Sequence, residues 1–347
     1  MQGVPNVAAY VPLSGNPRTR GRQRRRRDRF VFFLAIVLVA AAALTSSFLA
    51  AKRPTITPTR FDTSRIAAPV PTDFDHFDFS NLWLATSPQP YLPIHGQAAY
   101  LVDLDTRIVL WQRDAETSRA PASLTKLITA MVAVDDSASL DQVVQVAKAA
   151  TQISPSVMGL SPGERLTVRQ LLDGLFLDSG NDAAEALARG IVPRDRFIRQ
   201  MNQKALSIGL TASHFVNPSG LDAAGHGMSA HDLVHVAAYL EKYYPELAAI
   251  AATREISIPA SSTHKAFYPR NLNGLLWTYA GATGLKTGLT DNAGGCMLAT
   301  ATRGGRHLVA VVLNATGFSA SDATMLLNYG FGIHPRLALW PVPIATP

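Results

Sequence analysis

PASLTKLITA, residues 121–130, begins like a helix bound for a protein core, yet its sixth residue is a lysine. The apolar residues recur at helical spacing, so Ser123 to about Val134 reads as a buried helix. A lysine on such a helix ordinarily runs its stem along apolar surface and carries its charge to water. Ser123 stands three positions before Lys126, and on a helix residues i and i+3 share a face within side-chain reach. The segment is therefore either a core helix with a snorkelling lysine or a hydroxyl paired with an amine.

Outward from this helix the periodicity is legible in both directions. QAAYLVDLDTRIVLWQRD, residues 97–114, alternates apolar residues about the turn Asp103–Arg107 and reads as a hairpin of two strands. Helical spacing follows over Val168–Leu177, Asp182–Arg189 and Arg194–Ile208, where Gly209 supplies a stop. Ser229 reads as the N-cap of SAHDLVHVAAYLEKYY. The period then returns to two in GLKTGLT, GGCMLATAT and HLVAVVLNA, the last two joined by the turn Arg303–Arg306, before a final helix SASDATMLLNYG. Two strands, a block of helices, three strands and a helix predict an α/β domain. Its one antiparallel five-stranded sheet is completed from both ends of the chain and flanked by helices.

The chain has 347 residues, 47% of them apolar and 16% charged, which is globular composition. Its net charge of +7 is concentrated in Arg18–Arg29, where eight arginines and one aspartate account for all of it. FVFFLAIVLVAAAALTSSFLAA follows, uncharged from Phe30 to Ala51 and closed by Lys52 and Arg53. A helix needs about 20 apolar residues to cross a bilayer, and a cleaved signal has a shorter apolar region. The sequence thus predicts a cytoplasmic Arg-rich tail (1–29), a transmembrane signal-anchor (30–51), a Pro/Thr-rich extracytoplasmic spacer (52–93) and an exported domain (94–347). Arginines on the N-terminal flank set that orientation on the cytoplasmic membrane. Cleavage near Ala50 or Ala51 is the alternative. Next to a membrane span the arginine run is assigned to orientation and anionic lipid, so no nucleic-acid partner is expected. Within the spacer, FDHFDF (Phe74–Phe79) sets aromatics among acids and is expected to dock on the domain as a short element. The single cysteine, Cys296, permits no internal disulfide, and a domain this size needs none.

S-x-x-K alone is weak, since Ser262-Thr-His-Lys265 also satisfies it in a polar stretch, and Ser14-Gly-Asn16 duplicates a second motif in the N-terminal tail. Order and context discriminate. Ser123-Leu-Thr-Lys126 lies on an apolar helix, Ser179 and Asn181 of LDSGNDA at a helix-to-helix turn, and Lys286, Thr287 and Gly288 of GLKTGLT on a strand. From about Gln97 to Gly332 the chain resembles the serine-type D-alanyl-D-alanine carboxypeptidases, the low-molecular-mass penicillin-binding proteins. PASLTK, SGNDAAEALA, MNQKALSIGL, HFVNPSGLD and KTGLTDNAGGC all carry that likeness.

The resemblance implies a DD-peptidase acting on peptidoglycan stem peptides through an acyl-enzyme, inhibited by β-lactam antibiotics and needing no metal or other cofactor. Ser123 is then the acylated residue, Lys126 its base and Ser179 the relay to the departing amine. Asn181 holds the substrate amide, Lys286 and Thr287 meet the terminal carboxylate, and Gly288 admits the substrate backbone. The backbone N–H groups of Ser123 and Leu289 hold the oxyanion. A lysine serves as base only when neutral, so Lys126 must lose its proton readily, through burial or a neighbouring cation such as Lys286.

Taken singly, Ser123 reads as a cap, Ser179 and Asn181 as turn formers and Lys286 as a surface charge; the non-catalytic alternative is a wall- or partner-binding protein of the same fold. His214, His231 and His235 read as packing or cap residues, and Cys296 as a small buried hydrophobe. No glutamate stands where a class A β-lactamase activates its deacylating water, so slow release of penicillin is expected. NATGFSASDA lacks the arginine that relatives often carry after the last strand, which leaves carboxypeptidase and endopeptidase cleavage both open.

Overall fold

The computed structural model describes residues 77–317 and 319–333, all within one compact unit. A short helix α1 (Leu82–Thr86) precedes the hairpin β1 (Ala98–Asp103) and β2 (Ile108–Arg113). The helical lobe then comprises α2 (Lys126–Asp136), a two-stranded ribbon β3 (Val143–Gln145) and β4 (Arg165–Thr167), α3 (Val168–Leu177), α4 (Asn181–Gly190), α5 (Arg194–Ser207), α6 (Ala230–Tyr243), α7 (Pro245–Ala252) and α8 (Leu275–Thr278). Strands β5 (Ala282–Thr290), β6 (Gly294–Arg303) and β7 (Arg306–Ala315) and helix α9 (Ser319–Gly332) complete it.

The sheet has the order β2-β1-β7-β6-β5, and every pairing is antiparallel. β1 from the start of the domain lies against β7 from its end, with Ala98 opposite Leu313 and Asp103 opposite Leu308. Alternation sorts the strands between two cores. Tyr100, Val102, Val309, Val311 and Leu298 face the helical lobe, whereas Leu101, Leu110, Ala310, Val312 and Ala299 face the layer that α9 closes with Leu326 and Leu327. Burial on both faces is why HLVAVVLNA is almost continuously apolar.

Other elements enclose the first two turns of α2, where Lys126 through Ala133 are all buried and apolar residues predominate on every face. α3 starts on a capping box, Thr167 with Gln170, and Ser229 Oγ accepts from Asp232 N at the start of α6 as expected for an N-cap. The expected helix at Ser123 differs in its first turn, which is a 3₁₀ turn over Ala122–Thr125.

Part of the stretch expected as spacer belongs to the domain. Ser80 N donates to Arg107 O at 2.8 Å, Val109 N to Ser80 O at 3.0 Å, and Trp111 Nε1 to Pro90 O at 3.0 Å. Phe77 and Phe79 pack on the core, so the end of FDHFDF docks, and this strap covers the outer edge of β2. The expected tail, membrane span and spacer up to residue 76 lie outside the described residues. Among the described residues no helix is long and apolar enough to cross a membrane.

Candidate active site

The 3₁₀ turn presents Ser123 half-buried at the entrance of α2, one residue after Ala122, which is held at φ +49°. Ser179, in the three-residue turn between α3 and α4, has φ +57°. Both are side-chain-bearing residues in the left-handed region, a backbone cost of the order of 1–3 kcal/mol each that persists only where surroundings enforce it. β5 closes the third side. An ideal Cβ on Gly288 would stand 2.9 Å from Ser123 N and from the Ala122 side chain, so this position takes no larger residue. Ser123, Ser179, Asn181, Thr287, Gly288 and Leu289 line one cleft of about 360 Å³.

Lys126 lies beneath Ser123, fully buried. Its Nζ is 2.7 Å from Ser123 Oγ, 2.7 Å from Asn181 Oδ1 and 2.6 Å from Ser219 O. Two of these neighbours can only accept: the carbonyl of Ser219, and Asn181 Oδ1, whose orientation is set because Asn181 Nδ2 donates to Ser154 O at 2.8 Å. A neutral amine has two N–H groups for those acceptors and one lone pair left for the Ser123 hydroxyl. Burial first, then the charge of Lys286, holds the Lys126 pKa well below the usual lysine range, against a smaller opposing pull from Asp182. Lys286 is 2% exposed, with its Nζ 3.1 Å from Thr287 O. Burial lowers it to about 7, and Asp178 works the other way. Both buried amines are thus held below the usual lysine range, Lys126 by burial and by the neighbouring charge of Lys286.

A chain with this constellation invites comparison. The family model for D-alanyl-D-alanine carboxypeptidases, peptidase S11, matches residues 84–317. The D-alanyl-D-alanine carboxypeptidase DacB2 of Mycobacterium tuberculosis is 37% identical over 251 residues, 70% of this chain and 85% of that protein. The chain belongs to peptidase S11. DacF of Bacillus subtilis is 34% identical over 243 residues, and the match covers 68% of this chain and 62% of DacF. The crystal structure of the Streptomyces K15 DD-transpeptidase superposes with a TM-score of 0.66 at 33% identity, covering 71% of this chain and 99% of that one. Membership of S11 favours the serine carboxypeptidase over a non-catalytic binder.

Other sequence matches separate from this S11 site. In the polar copy of S-x-x-K, Lys265 turns its amine to Ser161 Oγ at 2.7 Å and stacks on Phe267, away from Ser262. Glu185 is buried on the two arginines Arg189 and Arg194, three contacts of 2.8 Å, and is not placed to activate water. His231 packs on Tyr100 and His235, and exposed His214 meets Gly225 O. Cys296 is buried, with burial raising its thiol pKa to about 11. Among the described residues no group of three or more His, Cys, Asp or Glu could hold a metal.

Sequence reasoning assigned no role to the groups that hold the cleft in shape. Asp182, 2% exposed, accepts from the N–H groups of Met158, Gly159 and Leu160 at 2.8–2.9 Å and so fixes the loop whose Pro155 and Ser156 line the cleft. Asn217 Oδ1 accepts from Ser219 N and Gly220 N at 3.1 and 2.7 Å, which turns the Ser219 carbonyl onto Lys126. Asn-Pro-Ser-Gly within HFVNPSGLD is a turn signal that could have marked this loop. Gly220 has φ +85°, and a Cβ there would stand 1.8 Å from Ala122 O. Gly220→Ala is therefore expected to lower the melting temperature by about 6 °C or more, because overpacking and left-handed strain add at one position. Thermal unfolding of the variant beside the parent checks this.

Proposed function

We propose that this chain is a serine DD-peptidase that removes the terminal D-alanine of peptidoglycan stem peptides through an acyl-enzyme at Ser123. The observation that carries the reading is the 2.7 Å contact between the Ser123 hydroxyl and a fully buried amine whose pKa is held well below the usual lysine range. Lys126 takes the hydroxyl proton as Ser123 Oγ adds to the carbonyl carbon of the penultimate D-alanine. The backbone N–H groups of Ser123 and Leu289 receive the oxyanion. The C–N bond then breaks, Ser179 relays a proton to the nitrogen, and D-alanine leaves. Water, with Lys126 again as base, cleaves the ester. Asn181 orients the substrate amide, and Lys286 with Thr287 meets the terminal carboxylate, while Gly288 lets the substrate backbone approach β5. In a penicillin the severed nitrogen stays tethered to the acyl group, so the ester persists.

The reading extends to the cell. The Arg-rich tail 1–29 and the apolar run 30–51 support a single-pass anchor in a bacterial cytoplasmic membrane, with the catalytic domain outside. Cleavage within crosslinks, as an endopeptidase, is the second reading, favoured by the absence of an arginine from NATGFSASDA after β7. Incubation with fluorescent penicillin is expected to label Ser123 covalently, and a pentapeptide ending in D-Ala-D-Ala to release D-alanine. No label on intact protein overturns the enzyme; label without released D-alanine transfers the weight to the endopeptidase.

A further inference from the structure

His226 is not part of the cleft, yet it joins the two pieces of backbone on which the reaction depends. It is 8% exposed and lies edge-on to Phe215, ring centroids 5.6 Å apart. Its Nδ1 accepts from Val216 N at 3.2 Å, so the ring's proton resides on Nε2, which meets Thr125 Oγ1 at 2.7 Å. Thr125 is the last residue of the 3₁₀ turn that presents Ser123, and Val216 opens the loop that delivers Ser219 O to Lys126. One turn further along α2, Thr129 Oγ1 donates to Pro218 O at 2.7 Å and ties helix and loop a second time. Of these ties, the one through His226 lies nearer the nucleophile in the chain and joins the Thr125 side chain to the Val216 backbone N–H.

We infer that His226 is a positioning residue: through Thr125 it sets the Ser123 turn against the 216–222 loop, so that Ser123 Oγ and Ser219 O converge on Lys126 Nζ. The inference rests on the serine DD-peptidase reading, and penicillin labelling of the parent enzyme tests that reading separately. A neutral imidazole donating to one partner while accepting from the other fits both ends of the gap; a side chain of equal bulk without nitrogens fills the space and leaves the turn unregistered. Misplacement of a nucleophile by less than an ångström lowers turnover with little effect on ground-state binding.

The test uses full-length enzyme carrying His226→Phe, His226→Gln, Thr125→Val, and the double variant Thr125→Val/His226→Phe. His226→Phe keeps the ring contact with Phe215 and is expected to slow penicillin acylation roughly 10- to 100-fold, with the loss in kcat and KM for the pentapeptide near that of the parent. His226→Gln, which retains a donor, is expected to recover most of the rate. The double variant is expected to be no slower than the slower single one, because both changes remove one bond. Acylation by His226→Phe within threefold of the parent, or fully additive losses, overturns the inference. If His226→Phe fails to fold, Thr125→Val against Thr125→Ser decides it: a slow valine variant beside a normal serine variant supports the positioning role, and a normal valine variant removes it.

Discussion

Lys126→Ala is expected to reduce acylation of Ser123 by penicillin roughly 10²- to 10⁴-fold, the range lost when a positioned general base is removed. Lys126→Arg is expected to be as inactive. A guanidinium keeps its proton at any working pH and so offers Ser123 no lone pair, although it restores the charge and the donors. The pair of variants separates a base from a mere cation: if arginine at 126 acylates within tenfold of the parent, the amine acts only as a charge. Stopped-flow measurement of the second-order acylation constant reads both. Acylation of the parent is expected to rise with pH on the acid side, as Lys126 loses its proton below the usual lysine range.

Lys286→Met is expected to weaken carboxylate-bearing substrates and to make the fold more stable. Burial lowers the lysine from 10.5 to about 7. Between those values the unfolded chain holds a proton that the folded chain does not, so stability contributed at this position rises with pH through that window. Below about 7 the folded protein bears the full cost of a buried ammonium, on the order of a few kcal/mol, which an unbranched apolar side chain does not incur. Melting of Lys286→Met is thus expected several degrees above the parent at pH 6–7, with the gap closing toward pH 10. A gap of the opposite sign removes the argument. In kinetics, kcat/KM of the parent reports free enzyme and is expected to fall as pH rises through about 7. kcat is expected to stay flatter, since a carboxylate meeting Lys286 as proposed would hold its proton in place. An active site that destabilises its own scaffold is a common exchange of stability for activity.

The strand and helix order was legible because each apolar pattern has one home: HLVAVVLNA is buried on both faces, and QAAYLVDLDTRIVLWQRD folds back at a polar turn. The convergence of the motif residues was legible, since Ser123, Ser179, Asn181, Thr287 and Gly288, read on three separate elements, line one cleft with Lys126 beneath Ser123. What supports them was not. Ser219 acts through its carbonyl, which every residue possesses, and Asp182 acts on three N–H groups more than twenty positions away. Such contacts depend on loop conformation, which periodicity does not encode. The docking of residues 77–93 was half visible, in FDHFDF, because the Pro-rich composition around it is equally that of a tether.

Pairing β1 with β7 has a consequence for biogenesis. The first hairpin at Ala98–Arg113 finds its neighbour only at Arg306–Ala315, so some two hundred residues must leave the ribosome before the sheet can form. Contacts of such sequence separation fold slowly. Until β7 exists, the edge of β1 that it will cover has no strand beside it, so completion of this domain waits on nearly its whole length.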